Sequence, residues 1–265
     1  MSQTNNAYKK SSFGPAFFFL PKRQRQALAD YYAFCRLMDD IADEPCENPQ
    51  QELADWEAEI GRIYAGKPTT NLGTLLSCDV KDFNISQDRF LLLIEGMRAD
   101  LEGKKYNTYE ELDWYLYRVA VIVGKATLDI LNVRGEKADA LALSLGSAVQ
   151  LTNIVRDVYD DAKMGRVYLP AELTAKEILA GKKKKVLYAA LGNTAAHSRL
   201  KYKEAFALMK SLPRLKMLPC RIMGYVYRQN LAKIEERKFR FEKTIKLSKL
   251  EKLKQVFYAL YKTFF

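Results

Sequence analysis

The sequence predicts an all-α protein. Apolar residues recur at spacings of three and four along long segments, which is the period of an amphipathic helix. Strand-like alternation is scarce, and no proline occurs between Pro68 and Pro170. The longest segments are too apolar to be isolated surface helices, so we expect them to pack around a common interior. The predicted helical segments are 22–44, 87–102, 109–133, 136–162, 184–211, 216–237 and 247–264.

Residues at the ends of these segments support the helical assignment. Asn48 before Pro49 is typical of an N-cap followed by proline at the first helical position. Capping boxes, in which a hydroxyl and a glutamate satisfy each other's backbone amides, are predicted by TYEE at 108–111 and TAKE at 174–177. Ser86 is a candidate N-cap for the second predicted segment, which Gly103 would end.

Composition indicates one domain with an anionic partner. The 265 residues are 48% hydrophobic, and no repeat or linker divides them, so we expect a single domain over 1–265. Lysine and arginine number 43 against 32 acids, which indicates a phosphorylated substrate, an anionic membrane or nucleic acid. The basic residues are scattered and no zinc-finger or RNP-type motif occurs, so we expect no nucleic-acid partner.

Several features indicate a cytoplasmic protein. The N-terminal residues MSQTNNAYKKSS are polar and lack the apolar region of a signal peptide. The apolar run FFFL at 17–20 is too short to span a bilayer. The four cysteines show neither CxxC pairing nor zinc-ligand spacing, so we expect reduced thiols.

The last predicted helix carries an apolar stripe among lysines. We interpret it as a terminal helix whose stripe docks on the core. The alternative is a helix at a membrane surface, which would hold the protein at the inner face of the membrane. The stripe consists of Leu247, Leu250, Leu253, Phe257, Leu260 and Phe264.

A first acidic cluster, RLMDDIADE at 36–44, follows an aromatic run. On a helix, Asp39 and Asp43 lie on one face with Asp40 beside them. A solvated acidic face is the default interpretation of such a cluster. The apolar and aromatic flanks weaken it: Tyr31, Tyr32, Phe34, Leu37, Met38 and Ile41.

A second cluster places Asn153, Asp157 and Asp161 at successive intervals of four. Two helices of this kind, facing each other across a cavity, would present carboxylate and amide oxygens to a hard cation, and Mg²⁺ is the natural choice. Mg²⁺ usually completes its octahedron with water and substrate phosphates, so we expect a diphosphate substrate. The single histidine, His197, excludes histidine-based triads and zinc sites.

Arginines stand next to both clusters. Arg36, Arg156 and Arg166 are candidates for binding phosphate oxygens in a bidentate fork. Each is equally suited to pair with a neighbouring acid, as Arg36 is with Asp40 at i, i+4. A helical cavity with acids at one end and apolar walls elsewhere indicates prenyl diphosphate chemistry, in which metal and arginine stabilise the leaving group and water is excluded.

Four long stretches together resemble one known family. They are SSFGPAFFFLPKRQRQALADYYAFCRLMDDIAD, IEGMRADLEGKKYNTYEELDWYLYRVAVIVG, QLTNIVRDVYDDAKMGRVYLP and RIMGYVYRQNLAKIEERKFRF. The resemblance is to the squalene and phytoene synthases, which join two prenyl diphosphates head to head. Within that family, the sequence is most similar to the bacterial presqualene diphosphate synthases.

The resemblance implies a single-domain isoprenoid synthase fold, with helices around a central cavity and two facing Asp-rich helices. It also implies roles for particular residues. Mg²⁺, or Mn²⁺ in its place, would be bound by Asp39, Asp40, Asp43, Asn153, Asp157 and Asp161. Diphosphate would be held by Arg36, Arg156, Arg166 and Arg228, with Gln150 nearby. Ser12 and Phe13 fall where the family has a lid, and Phe17, Tyr32, Tyr117 and Val121 would line the prenyl pocket. Tyr168 and Tyr227 would steer the cation or its proton loss.

The implied reaction is condensation of two farnesyl diphosphates to presqualene diphosphate, with the onward step to squalene by NADPH left open. Alternatives are a phytoene synthase using geranylgeranyl diphosphate, a prenyl diphosphate phosphatase and a non-enzymatic lipid-binding protein. The motif DVYDD stands where the family has DVGED, so Tyr159 adds bulk near the metals. AVIVG stands where AGxVG is usual, so Val121 is a larger pocket residue.

Overall fold

A computed structural model describes residues 20–241 and 243–265, and all regular structure in these ranges is helical. The all-α prediction is confirmed. Ser12, Phe13 and Phe17 lie outside the described residues. The helices are α1 (Lys22–Asp43), α2 (Pro49–Tyr64), α3 (Asn71–Phe83), α4 (Asp88–Leu101), α5 (Tyr109–Leu116), a π-helical turn (Tyr117–Val121), α6 (Ile122–Ile130), α7 (Glu136–Lys163), α8 (Ala175–Leu179), α9 (Lys184–Leu208), a 3₁₀ turn (Met209–Ser211), α10 (Leu218–Glu236) and α11 (Lys249–Phe264).

The predicted capping boxes are present in one complete and one modified form. The Thr174 hydroxyl accepts from the amide of Glu177, whose carboxylate accepts in return from the amide of Thr174, 3.0 Å away. The Thr108 hydroxyl accepts from the amide of Glu111 at 3.2 Å. The carboxylate of Glu111, however, accepts from the amide of Asn107 at 2.6 Å, one residue earlier than the prediction.

One boundary prediction differs from the structure, and one helix was not predicted. Ser86 is not the cap of α4, because the helix begins one residue later with Gln87 in the N-cap position and no side-chain cap. The end of α4 agrees with the prediction, since Gly103 follows it with a φ of 64° that favours glycine. The helix α3 has no counterpart among the predicted segments, and the hydroxyl of Thr70 caps it.

The two acidic segments lie on α1 and α7, which belong to neighbouring layers. α7 packs against α9, α6, α10 and the π-helical turn, and α1 packs against α2, α3, α4 and α6. Among the described residues, α7 alone is long and apolar enough to span a membrane, but 72% of its most apolar window is buried inside the protein. It is therefore a buried core helix.

The π-helical turn meets α7 at a glycine. A Cβ added at Gly146 would lie 2.9 Å from both the carbonyl oxygen of Ala120 and the Cα of Val121. Glycine therefore allows the two backbones to approach more closely than any other residue would. A π turn contains one more residue than an α turn, so the residues after it face a different direction from the one that a continuous α-helix predicts.

The terminal helix α11 docks on α10, but only Leu247 and Leu260 of the predicted stripe pack inward. Its inward residues are Val256, Ala259 and Thr263, and the tail segment before it contributes the buried Leu247. Four members of the stripe face outward instead, so the docking interpretation is wrong for them. They are Leu250, Leu253, Phe257 and Phe264.

Candidate active site

A cavity of about 500 Å³ lies between α1 and α7, with walls from α4, α6 and α10. Both acidic helices contribute to its lining. α1 brings Asp39 and Asp43, and α7 brings Asn153, Asp157 and Asp161. The structure thus places the two acidic stripes at the same cavity. Residues four apart lie on one face of a helix, so all members of each stripe face the cavity together.

Arginines form ion pairs with two of these acids. Arg166 forms an ion pair with Asp43 and donates to the carbonyl oxygen of Ala42 at 2.8 Å, which connects the loop after α7 to the end of α1. Arg156 donates from two nitrogens to the two oxygens of Asp157, at 2.8 and 2.5 Å. In both arginines burial acts to lower the pKa, but the paired carboxylates outweigh it, so the guanidinium groups stay charged.

The remaining carboxylates are crowded and short of partners. Burial, followed by repulsion from Asp43, raises the pKa of Asp39 to about 7. Burial and the charge of Asp157 raise the pKa of Asp161 to about 8. Burial is the larger cause in both groups, and the charges of Arg36 and Arg166 act in the opposite direction without cancelling it.

The amide of Asn153 adds an oxygen without a hydrogen bond. Its nitrogen donates to the side-chain oxygen of Gln150 at 3.1 Å, while its own oxygen is buried and has no hydrogen-bond partner. A buried polar atom of this kind costs free energy unless a ligand satisfies it. Within 20–241 and 243–265 no three of the His, Cys, Asp and Glu side chains converge as a closed metal site. Buried oxygen donors of this kind therefore fit Mg²⁺, which completes its coordination with oxygen atoms of water and substrate.

A tyrosine pair on one cavity wall is organised by Asp100 of α4. Tyr168 donates to one carboxylate oxygen at 2.7 Å and Tyr115 donates to the other at 2.9 Å. The two rings stack with centroids 4.9 Å apart. Burial raises the pKa of Asp100 to about 6, although the hydrogen bond from Tyr168 acts in the opposite direction. Sequence reasoning named Tyr168 but missed Tyr115 and Asp100, both of which lie in the stretch IEGMRADLEGKKYNTYEELDWYLYRVAVIVG.

Away from the acids, the cavity wall is mainly apolar. Tyr32 of α1 and Tyr227 of α10 lie in the lining, as do Gln150 and Arg36 nearer the acids. Tyr227 is buried next to Arg156, which acts to lower its pKa against the larger effect of burial. The apolar lining comprises Leu93, Met97, Val119, Ala120, Val123, Leu128, Leu141, Ala142, Leu145, Val149, Ile154, Pro219 and Met223, among others.

The π-helical turn accounts for two residues that the structure places outside the lining. Val121 is fully buried, but its backbone contacts Gly146 and its neighbours Ala120 and Val123 face the cavity instead. The ring of Tyr117 lies 5.8 Å from the ammonium of Lys125 and is not part of the lining. The expectation from the resemblance is therefore wrong for Tyr117 and Val121, because the π-helical turn directs Val119 and Ala120 to the cavity instead.

Three other residues also lie outside the lining. Asp40 is ion-paired with Arg36 along α1, which is the alternative that the sequence left open for Arg36. Arg228 is exposed, with its guanidinium 6.0 Å from the ring of Phe206. Tyr159 packs edge-on against Phe241, so its bulk is not in the cavity.

Comparison with solved structures places this fold among the isoprenoid synthases. A dehydrosqualene synthase in complex with a ligand superimposes with a TM-score of 0.83 at 27% identity, covering 98% of this chain and 94% of that one. A squalene synthase from Alicyclobacillus acidocaldarius gives a TM-score of 0.81 at 25% identity, covering 89% and 91% of the two chains. The class is therefore that of helical enzymes acting on isoprenoid substrates.

The chain belongs to the squalene/phytoene synthase family, whose sequence model matches residues 7–251. It is similar to a presqualene diphosphate synthase from Rhodopseudomonas palustris, with 35% identity over 92% of this chain and 90% of that protein. A chloroplastic phytoene synthase from an Oncidium hybrid cultivar is 34% identical over 94% of this chain but 64% of its own length. The family and the fold that the sequence predicts are both confirmed.

Proposed function

We propose that the protein is a Mg²⁺-dependent prenyltransferase that condenses two farnesyl diphosphates head to head to presqualene diphosphate. The observation that carries this proposal is the convergence of Asp39, Asp43, Asn153, Asp157 and Asp161 on one largely apolar cavity. The choice of farnesyl diphosphate as substrate is supported by the similar presqualene diphosphate synthase from Rhodopseudomonas palustris, 90% of whose length is covered by the alignment.

Asp39, Asp43, Asn153, Asp157 and Asp161 would hold Mg²⁺. When bound, Mg²⁺ supplies Lewis-acid stabilisation of the departing diphosphate. Mn²⁺ has the same preference for oxygen donors and is the alternative metal.

The arginines of the site would bind diphosphate oxygens. Arg156 and Arg166 already point their guanidinium groups at the acids, and Arg36 lines the same end of the cavity. A planar guanidinium matches two phosphate oxygens at once, which orients the substrate as well as attracting it. We therefore assign to these residues the orientation of the leaving group at the acidic end.

The apolar wall and the tyrosine pair would protect the prenyl cation. Side chains such as Met97, Val123 and Leu145 exclude water, which would otherwise capture the cation as an alcohol. The hydroxyls of Tyr115 and Tyr168 donate their protons to Asp100, so their remaining lone pairs are available to stabilise positive charge on the chain.

The cellular setting and extent of the enzyme are part of the same proposal. We assign residues 1–265 to a single catalytic domain in the cytoplasm, where its thiols are reduced. A phytoene synthase acting on geranylgeranyl diphosphate is the second candidate, and the Oncidium relative supports it, but over a smaller part of that protein. A phosphatase would use the same acids and release a prenyl alcohol.

One experiment separates these functions. Purified protein is incubated with Mg²⁺ and either farnesyl or geranylgeranyl diphosphate, with and without NADPH, and the products are identified by mass spectrometry. Presqualene diphosphate from farnesyl diphosphate is the expected product, and squalene with NADPH would extend the reaction by one step. Phytoene, or farnesol alone, would refute the proposal in favour of the second candidate or the phosphatase.

Substitutions test whether the acids act as proposed. Asp39→Ala and Asp157→Ala should each abolish product formation, because each removes an oxygen donor from the cavity. Asp160→Ala is the matched control: Asp160 neighbours Asp161 but pairs with Lys163 at 2.7 Å and lies outside the lining. Normal turnover by Asp39→Ala or Asp157→Ala would contradict the metal-diphosphate mechanism.

A further inference from the structure

The outward side of α11 is an exposed apolar surface, which we call the terminal patch. Its members are large side chains with exposed fractions between 45% and 87%. Soluble monomers rarely expose contiguous apolar surfaces beyond a few hundred Å², and larger patches generally contact a partner or a membrane. The terminal patch consists of Leu250, Leu253, Phe257, Tyr258, Tyr261, Phe264 and Phe265.

The patch is held outward by contacts on the opposite side of the helix. Arg221 of α10 donates to the carbonyl oxygen of Lys262 at 2.6 Å, and Lys233 pairs with Glu251 at 2.8 Å. Ser248 and Glu251 form a complete capping box at the helix start. Because the inward face of α11 is fixed on α10, the helix cannot rotate to bury the terminal patch against the core.

The charges around the patch identify its partner. Lys254 projects from within the outward arc, and Lys249 and Lys262 lie at its edges, all three of them exposed. The only acid of α11, Glu251, is engaged by Lys233 instead. A symmetric contact with a second copy would bring these lysines together, whereas anionic headgroups would neutralise them.

We propose that α11 docks the protein on an anionic lipid bilayer. The leucine and phenylalanine side chains enter the acyl boundary, the tyrosines lie at the headgroup level and the lysines contact the phosphates. On its opposite side α10 lines the cavity with Pro219, Cys220, Met223 and Tyr227, so the docked surface lies one helix layer from the cavity. This inference rests on α11 alone and is independent of the proposed reaction.

The test is flotation of the full-length protein with vesicles, in the absence of substrate. Vesicles containing phosphatidylglycerol in phosphatidylcholine should bind the protein, and phosphatidylcholine vesicles should bind it much more weakly. Leu250→Ser with Phe257→Ser should weaken binding by roughly tenfold or more, because two apolar side chains no longer enter the bilayer. Lys254→Gln should weaken it by about fivefold, and added salt should reduce binding of the wild type.

Control variants distinguish docking through α11 from nonspecific adsorption to vesicles and from misfolding. Leu200→Ser with Leu215→Ser removes two leucines that are 58% and 66% exposed elsewhere, and should leave vesicle binding unchanged. All variants should melt like the wild type by circular dichroism, since every substituted side chain is exposed. Failure of the wild type to float with anionic vesicles would overturn the proposal. So would a dimer in solution that Leu250→Ser with Phe257→Ser converts to monomers, because the patch would then be a subunit interface.

Discussion

Replacing Asp100 by asparagine should reduce activity without reducing stability. The carboxylate accepts one hydrogen bond from Tyr168 and one from Tyr115 through different oxygens. An asparagine of the same shape keeps one acceptor oxygen and presents a donor to the other tyrosine. The hydroxyl of Tyr115 or of Tyr168 must therefore turn or lose its hydrogen bond to residue 100. Its lone pairs would then change their orientation in the cavity.

The expected loss of activity follows from the hydrogen bonds. A hydrogen bond to a charged group contributes about 1.5–3 kcal/mol, and about 1.4 kcal/mol corresponds to a tenfold change in rate. If the misplaced hydroxyl forfeits one such interaction in the transition state, kcat should fall by roughly 10- to 100-fold. The KM for the prenyl diphosphate should change less than kcat, because Arg166 and Asp43, which interact electrostatically with Asp100, keep their own ion pair.

The stability of the variant should move in the opposite direction. Burial raises the pKa of Asp100 from 3.8 to about 6 in the folded protein, so the free energy of unfolding falls as the pH rises between these values. The rise corresponds to roughly 3 kcal/mol of cost for the ionised group above about pH 6. Asparagine removes that cost, and we expect Asp100→Asn to melt at the same or a higher temperature than the wild type at about pH 8.

Steady-state kinetics and thermal melts on the same preparations test this reasoning. Glu95→Gln is the matched control, since Glu95 is an exposed carboxylate on the same helix that pairs with Arg118 at 3.0 Å. It should retain wild-type kcat. Retention of more than half of the activity by Asp100→Asn, or a loss of activity accompanied by a clear drop in melting temperature, would refute the positioning role of Asp100.

Three further substitutions test other parts of the molecule. Asp161→Asn should stabilise the protein above about pH 8 when Mg²⁺ is not added, because burial raises the pKa of Asp161 to about 8 and the ionised group destabilises the fold. The same substitution should abolish stabilisation by Mg²⁺, because it removes a carboxylate that would bind the metal. Burial alone would raise the pKa of Glu59, but hydrogen bonds led by the one from Thr69 lower it to about 2. Glu59→Gln should therefore reduce the free energy of unfolding by about 2–3 kcal/mol near neutral pH. That difference should disappear as the pH falls from 4.5 towards 2. Gly146→Ala should cost about 1–3 kcal/mol and lower activity, since the new methyl would lie 2.9 Å from the carbonyl oxygen of Ala120 on the cavity wall.

Each of these variants has a distinct measurement. Melting with and without Mg²⁺ reports on Asp161→Asn, and an unchanged metal response would contradict its assignment as a ligand. Chemical unfolding across the acidic range reports on Glu59→Gln, and a gap that persists below about pH 2 would contradict the depressed pKa. For Gly146→Ala, full activity together with full stability would show that α7 and the π-helical turn can separate without cost.

Most of the fold could be predicted because its long helices carry a clear apolar period. The buried core helix α7 and the acidic helix α1 were assigned within a residue or two of their bounds. α3 was not predicted although Leu72, Leu76, Val80 and Phe83 follow the helical spacing of three and four, because weak helix formers (glycine, threonine, serine and cysteine) separate them. Its stability comes instead from the Thr70 cap and from close packing of Gly73 on the carboxylate of Glu59.

The limits of sequence reasoning at the site have two physical causes. Periodicity shows which residues share a helical face, but a π-helical turn shifts that face, and the shift has no signature in the composition of YRVAV. Tyr117 and Val121, which the resemblance implied for the prenyl pocket, lie outside the lining, where the structure has Tyr115, Val119 and Ala120. Periodicity also does not show which way a face points, so four of the six stripe residues were assigned to the core but face outward, while Leu247 and Leu260 pack inward.

The pairing of arginines with the acids has a thermodynamic consequence for the order of events at the site. Arg156 and Arg166 form ion pairs with Asp157 and Asp43, and the same guanidinium groups are those that would hold diphosphate. A cation that takes over these carboxylates frees the arginines, and a diphosphate that takes the arginines frees the carboxylates. Occupancy of either subsite should therefore raise the affinity of the other by the same factor, as linkage requires. The protein would then bind metal and diphosphate together more tightly than either one alone.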